Sequence, residues 1–274
     1  MHLGKRVRLR RLLNASSGRL LTITVDHGIA RGVLPGLIDV QRAIDEIVWG
    51  VPDAMTMHKG IAERCFEPHA GKVPLIIKCT SFSPYHKTLD VWVTDVEEAI
   101  RLGADAISMG VIVGGEHQPK MLENLGRLVK EAESLGLPVV THIYPRGEYV
   151  EDQYHFENVR YAVRVGAELG VDVIKTHYTG SPDTFAKVVE AVPVPVVLAG
   201  GEGGKALEDY LRMTRDALDA GAAGVAYGRF VWQNEEPGAV VRALRAIIHE
   251  NRTVEEALEV YREAMAERRH QRSH

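Results

Sequence analysis

Eight short apolar runs, rich in β-branched residues and without polar alternation, recur along this chain with helical periodicity between them. The runs lie at residues 20–26, 53–57, 74–80, 104–110, 138–144, 171–176, 194–200 and 222–228. Helical spacing appears at 37–49, 94–103, 118–136, 155–170, 182–192, 205–221 and 237–249. Strands so short and continuously apolar suit a parallel sheet covered on both faces. Eight of them alternating with helices meet the requirement of an α/β fold of the (β/α)8 barrel type. Gly103, Gly136, Gly170 and Gly221 stand where helices end and need a left-handed residue. A doubly wound open sheet competes, but no glycine-rich dinucleotide fingerprint follows the first strand. The helix between the second and third strands is the shortest expected, because Pro68 and Gly71 curtail it. With no linker or break in composition, the expectation is one domain over 1–274, with a basic N-terminal arm over 1–19 and a C-terminal helix over 253–274. That last helix carries Glu255 and Glu256 at its start and Arg268, Arg269 and Arg272 near its end, which suits the helix dipole.

Charge narrows the partners. The net charge of −4 argues against general nucleic-acid binding. The dense basic run, from Lys5 to Arg11, offers either an anion contact or the solvated face of a first helix. The rest of the chain lacks a basic surface signal, so the solvated face is expected. Cys65 and Cys79 belong to no CxxC pair, which disfavours a disulfide framework or a zinc site and fits a reducing cytoplasm. No stretch has the apolar core of a signal peptide, and none approaches the roughly 18 apolar residues of a membrane span.

The chemistry of a (β/α)8 barrel sits at the C-terminal ends of its strands. The sixth run, Val171 to Thr176, ends with Lys175. A lysine there is costly unless it is paired or its pKa is lowered, and a neutral amine attacks a carbonyl to form a Schiff base. The plainer reading is a lysine that reaches water or pairs with a carboxylate. The first run ends in Asp26-His27-Gly28 and the fifth in Tyr144-Pro145-Arg146. Lys175, Tyr144 and Asp26 together supply an amine nucleophile, a phenol that passes a proton and a carboxylate, the three types an imine-forming aldolase needs. A neighbouring lysine or arginine that lowers the phenol's pKa would aid that shuttle. Singly, Tyr144 could be a packing residue and Asp26 a turn cap. Gly200-Gly201 and Gly203-Gly204 after the seventh run, with Gly228-Arg229 after the eighth, are expected to form a phosphate site. His27, His58, His142 and His177 have no HExxH-type spacing, so they are read as hydrogen-bonding residues, His27 toward substrate, and neither a metal nor another cofactor is expected.

These motifs in this order resemble the archaeal-type class I fructose-bisphosphate aldolase family, with the related 2-amino-3,7-dideoxy-D-threo-hept-6-ulosonate synthases and autoinducer-2-phosphate thiolases. The resemblance runs from about Gly4 to Glu250. It is carried by Gly4-Lys5-Arg6, Val25-Asp26-His27-Gly28, His58-Lys59-Gly60, Tyr144-Pro145-Arg146-Gly147, Lys175-Thr176 before Tyr178-Thr179-Gly180, and Gly228-Arg229. It implies that Lys175 is the Schiff-base lysine, Tyr144 the general acid/base and Asp26 the assisting carboxylate. It places the substrate phosphate at Gly200, Gly201, Gly228 and Arg229, and it implies a homo-oligomer, often a decamer in the family. The chain departs from the family's pattern at Ser181, at Phe230 and along Lys78-Cys79-Thr80-Ser81-Phe82-Ser83 on strand three. The implied activity is aldol cleavage or formation in a phosphorylated ketose such as fructose 1,6-bisphosphate. Heptulosonate synthase-like transfer, thiolase chemistry with coenzyme A and a non-enzymatic sugar-phosphate-binding barrel are the alternatives.

Overall fold

Period-two alternation along the strands sorts this chain into layers. The computed structural model describes residues 2–201 and 206–272. Its strands are β1 (Leu20–Thr24), β2 (Ala54–Met57), β3 (Leu75–Lys78), β4 (Thr80–Ser83), β5 (His86–Trp92), β6 (Ala106–Val113), β7 (Val139–Pro145), β8 (Val173–Thr176), β9 (Val196–Ala199) and β10 (Gly224–Tyr227). Eight of them close a barrel in the order β1-β10-β9-β8-β7-β6-β3-β2. Every pairing around that barrel is parallel. The protein is therefore a (β/α)8 barrel, and each expected strand is present. The sequence reading missed the antiparallel hairpin of β4 and β5, and the short helices His27–Arg31 and Arg229–Trp232.

The barrel interior begins with an apolar floor. Leu20, Ala54, Ile76, Ala106, Val140, Val173, Val197 and Ala226 point inward as one cluster, closed by Leu12 of the first helix, Leu3–Leu12. Outward neighbours such as Leu21, Met55, Ile77 and Ile174 join the larger core under the helices. Each fully buried side chain of this kind contributes about 1.5–3 kcal/mol. Two positions further up, the interior turns polar but small: Thr22, Thr56 and Ser108 are buried, and the two threonine hydroxyls lie 3.3 Å apart. The same alternation then carries Asp26, Lys78, Gly110, His142, Tyr144 and Lys175 to the C-terminal mouth.

The basic N-terminal run is solvated in part: Arg6, Arg10 and Arg11 are exposed, whereas Lys5 is buried and Arg8 half-buried. Lys5 is only 3% exposed and pairs with Glu133 and with Asp172, the latter at 3.0 Å. Arg8 donates to the carbonyl of Gly136 at 2.9 Å, and Arg11 donates to Asp105 at 3.2 Å. The first helix thus docks by charge as well as by Leu9 and Leu12, and it seals the end of the barrel opposite the mouth. The last helix, which begins at Val254, is held in turn by Arg268 and Arg272, which grip Glu46 at 3.0 and 2.8 Å. Among the described residues no helix is long and apolar enough to cross a membrane.

Candidate active site

The mouth of the barrel opens into a cavity of about 870 Å³, its open end included. Strand ends and the first turns after them line it. Lys175 from β8, Tyr144 from β7 and Asp26 just past β1 all face this space, as do His27, Gly200, Gly201, Gly228 and Arg229. Every site residue expected from the sequence and lying among the described residues is therefore gathered in one place. Gly203 and Gly204 lie outside the described residues.

Lys175 is 6% exposed. Burial pushes its ammonium down to about 8 from the usual 10.5; Asp26 opposes the shift, and Lys78 and Arg229 add to it. Asp26 occupies the cap position of the helix His27–Arg31, yet its side chain makes no capping bond. Its Oδ1 lies 3.4 Å from His27 Nδ1 and its Oδ2 3.9 Å from His142 Nδ1. Burial disfavours its charge, but His27, His142, Lys175 and Lys78 outweigh that and hold it well below the carboxylate range. Burial also drives His27 down to about 4 and His142 well below its ordinary value. Both rings are thus neutral at pH 7, which leaves Lys175 and Lys78 as the groups that still lower Asp26 there.

Tyr144 is half-buried in the cavity that Lys175 also lines. Burial first, and Asp26 after it, push the phenol up, against the smaller pull of Arg146. The lowering by a nearby cation considered from the sequence is outweighed, and the resting residue is a neutral phenol with a proton to give. Its ring packs against His177, centroid to centroid 4.4 Å, and Tyr154 packs against that histidine as well, at 4.9 Å.

The ends of β9 and β10 form a glycine-lined pole of the cavity. Gly201 has φ +69°, a left-handed conformation that favours glycine. At Gly228 a Cβ would fall 2.5 Å from His27 Cε1 and 2.7 Å from Thr24 Oγ1. Arg229 Nη2 donates to the carbonyl of Gly201 at 2.6 Å, which ties the two turns together. Of the departures, Ser181 caps the helix Pro182–Val189 by accepting from the Thr184 N–H at 3.3 Å. Phe230 stacks on Tyr210 at 3.6 Å. Among the described residues no group of three or more His, Cys, Asp or Glu side chains is placed to hold a metal ion.

The structure adds residues that the sequence reading did not single out: Arg31, Asp90 and Gly110 also line the cavity, beside Phe82 of the Lys78–Ser83 departure. The Arg31 and Arg146 guanidiniums approach the Phe82 ring at 6.0 and 5.9 Å. Asp90 comes from β5, whose place over the mouth depends on the missed hairpin. A lone carboxylate between Leu89 and Val91 in an alternating stretch was the one sign available.

A sequence profile of the DeoC/LacD family aldolases matches residues 20–234. The 2-amino-3,7-dideoxy-D-threo-hept-6-ulosonate synthase of Halobacterium salinarum is 40% identical over 93% of this chain and 95% of its own. The class 1 fructose-bisphosphate aldolase of Thermoproteus tenax is 35% identical over 90% of this chain and 95% of its own. A solved archaeal fructose-1,6-bisphosphate aldolase, with its catalytic lysine covalently bound to the carbinolamine intermediate, superimposes with a TM-score of 0.81. It is 33% identical, and the match covers 89% of this chain and 99% of that one.

Proposed function

We propose, from the premise that this chain belongs to the DeoC/LacD family of aldolases, that Lys175 forms a Schiff base with a phosphorylated ketose. The enzyme is a class I aldolase in type, a lyase. The observation that carries the assignment of Lys175 is its burial at the end of β8, which brings its ammonium to about 8 inside the cavity shared with Asp26 and Tyr144.

The residues divide the work by their chemistry. Gly200, Gly201, Gly228 and Arg229 receive the phosphate, with backbone N–H groups and a guanidinium suited to an anion, and His27 stands beside that cradle. Neutral Lys175 attacks the ketone, and the carbonyl oxygen takes a proton to give a carbinolamine. Protonation of its hydroxyl and loss of water leave an iminium, whose charge the ionised Asp26 carboxylate offsets. A base then removes the proton of the hydroxyl on the far carbon of the bond to be broken; that oxygen becomes the carbonyl of the departing aldehyde and the C–C electron pair moves into the iminium to give an enamine. Protonation of the enamine and hydrolysis return the amine, and capture by a second carbonyl would instead give transfer.

A heptulosonate synthase-like transfer is the second reading. It is favoured by the 40% identity to the Halobacterium enzyme and by the altered strand-three run. Coenzyme A dependence would separate a thiolase, and binding without turnover a sensor barrel. On the same reading the substrate is free in the cytoplasm and the working form is a homo-oligomer of one-domain chains.

The test is borohydride reduction in the presence of fructose 1,6-bisphosphate or dihydroxyacetone phosphate, followed by intact mass and a peptide map. An adduct on Lys175, absent from Lys175→Met, is expected. Full activity in Lys175→Met would remove the assignment.

A further inference from the structure

The closed order of strands sets two poles across the mouth. From β9 and β10 the barrel reaches β6 and β3 after two intervening strands in either direction, so these pairs face one another across the cavity. The glycine pole lies at one side. At the other stand Lys78 at the end of β3, Gly110 on β6, and Asp90 from the hairpin strand β5.

This second pole is built, and it is incomplete. Asp90 is 3% exposed. Its Oδ1 has no hydrogen-bond partner among the described residues. Its Oδ2 overhangs Gly110 so closely that a Cβ there would fall 1.6 Å from it and 2.9 Å from Lys78 Nζ. The frame around it is fixed: Thr80 Oγ1 accepts the Gly110 N–H at 2.8 Å and the Lys78 ammonium at 3.2 Å. A buried carboxyl oxygen without a donor is costly, and folded proteins rarely keep one without a reason. Burial pushes the Asp90 carboxyl up, with Lys78 opposing and Asp26 adding. An oxygen left open in this way accepts a hydrogen bond from a hydroxyl, whereas a substrate phosphate would meet a carboxylate there. The rim guanidiniums of Arg31 and Arg146 stand at Phe82, where they would meet an anion instead.

We propose that Asp90 is a specificity-determining residue, accepting a hydrogen bond from a hydroxyl on the half of the substrate remote from its phosphate. The proposal rests on the glycine pole being the phosphate cradle. It deepens the substrate class to a phosphorylated, polyhydroxylated chain long enough to cross the mouth.

The test needs no chemistry at Lys175. Calorimetry compares glucitol 6-phosphate, which spans the cavity and has no carbonyl, with glycerol 3-phosphate, which occupies only the phosphate end. The wild-type protein is expected to bind the hexitol phosphate roughly tenfold tighter, about one hydrogen bond's worth. Asp90→Ala removes that preference while keeping the affinity for glycerol 3-phosphate, and Asp90→Asn, which retains an acceptor, restores most of it. If Asp90→Ala does not fold, Asp90→Leu keeps the bulk and gives the same comparison. An equal loss for both probes would assign Asp90 to the pocket as a whole, and a wild-type protein with no preference for the hexitol would equally overturn the proposal. Failure of borohydride trapping in the wild type refutes the Schiff-base assignment and leaves this comparison standing.

Discussion

The titration of Lys175 is the most exposed consequence of this geometry. With its ammonium at about 8, about a tenth of the side chain is neutral at pH 7, against about one part in 3,000 at 10.5, a gain of about 300-fold in nucleophile. The rate of adduct formation with saturating dihydroxyacetone phosphate, quenched by borohydride, should rise about tenfold per pH unit below 8 and level off above it. Lys78→Met removes a cation that lowers Lys175, so the midpoint moves up and the rate at pH 7 falls. Asp26→Asn removes the anion that raises it, so the midpoint moves down, whatever happens to the later steps. Stability carries the opposite sign. Lys175 holds its proton less tightly folded than unfolded, so it costs the fold up to about 3 kcal/mol below pH 8. That penalty fades between about pH 8 and 10.5, where only the unfolded chain stays protonated. Lys175→Met should therefore be inactive yet more stable at pH 7, with the advantage gone above 10.5. A flat rate from pH 6 to 8, or midpoints that move the same way in the two charge variants, would refute the electrostatic account.

Three other outcomes follow from particular contacts. Tyr144→Phe keeps the ring on His177 but loses the proton, so cleavage of the ketose should fall by about 10² to 10⁴ while the Lys175 adduct still traps. Gly228→Ala places a Cβ against His27 and Thr24, and steady-state kinetics should show KM for a phosphorylated substrate raised about tenfold or more, with the far half of the pocket unaltered. Lys5→Ala leaves Asp172 without its ammonium, although that carboxylate keeps the Val139 N–H at 2.8 Å. Thermal or denaturant unfolding should register about 2 kcal/mol of lost stability. Borohydride trapping should be unchanged, because the contact lies at the opposite end of the barrel.

The eight strands, the helices between them and the residue types at the strand ends were legible in the chain, because they depend on spacing over a few residues and on turn chemistry. Lys175, Tyr144 and Asp26 could be picked out for the same reason: each closes a strand whose direction is set by the parallel barrel. Local patterning could not show that Lys5 is buried against Glu133 and Asp172, since those partners lie more than a hundred residues away. Nor could it bring Asp90 over Gly110, which needs the β4–β5 hairpin to fold across a strand end. The titration states belonged to the tertiary structure as well. The neutral histidines, the ionised Asp26 and the lowered Lys175 arise from burial and from fields summed over side chains on several strands. Periodicity is a local property, so the sequence alone determined the barrel and its candidate residues. Desolvation and Coulomb interaction act through space, so only the closed barrel decided which of those residues carry charge, and what stands opposite the phosphate pole.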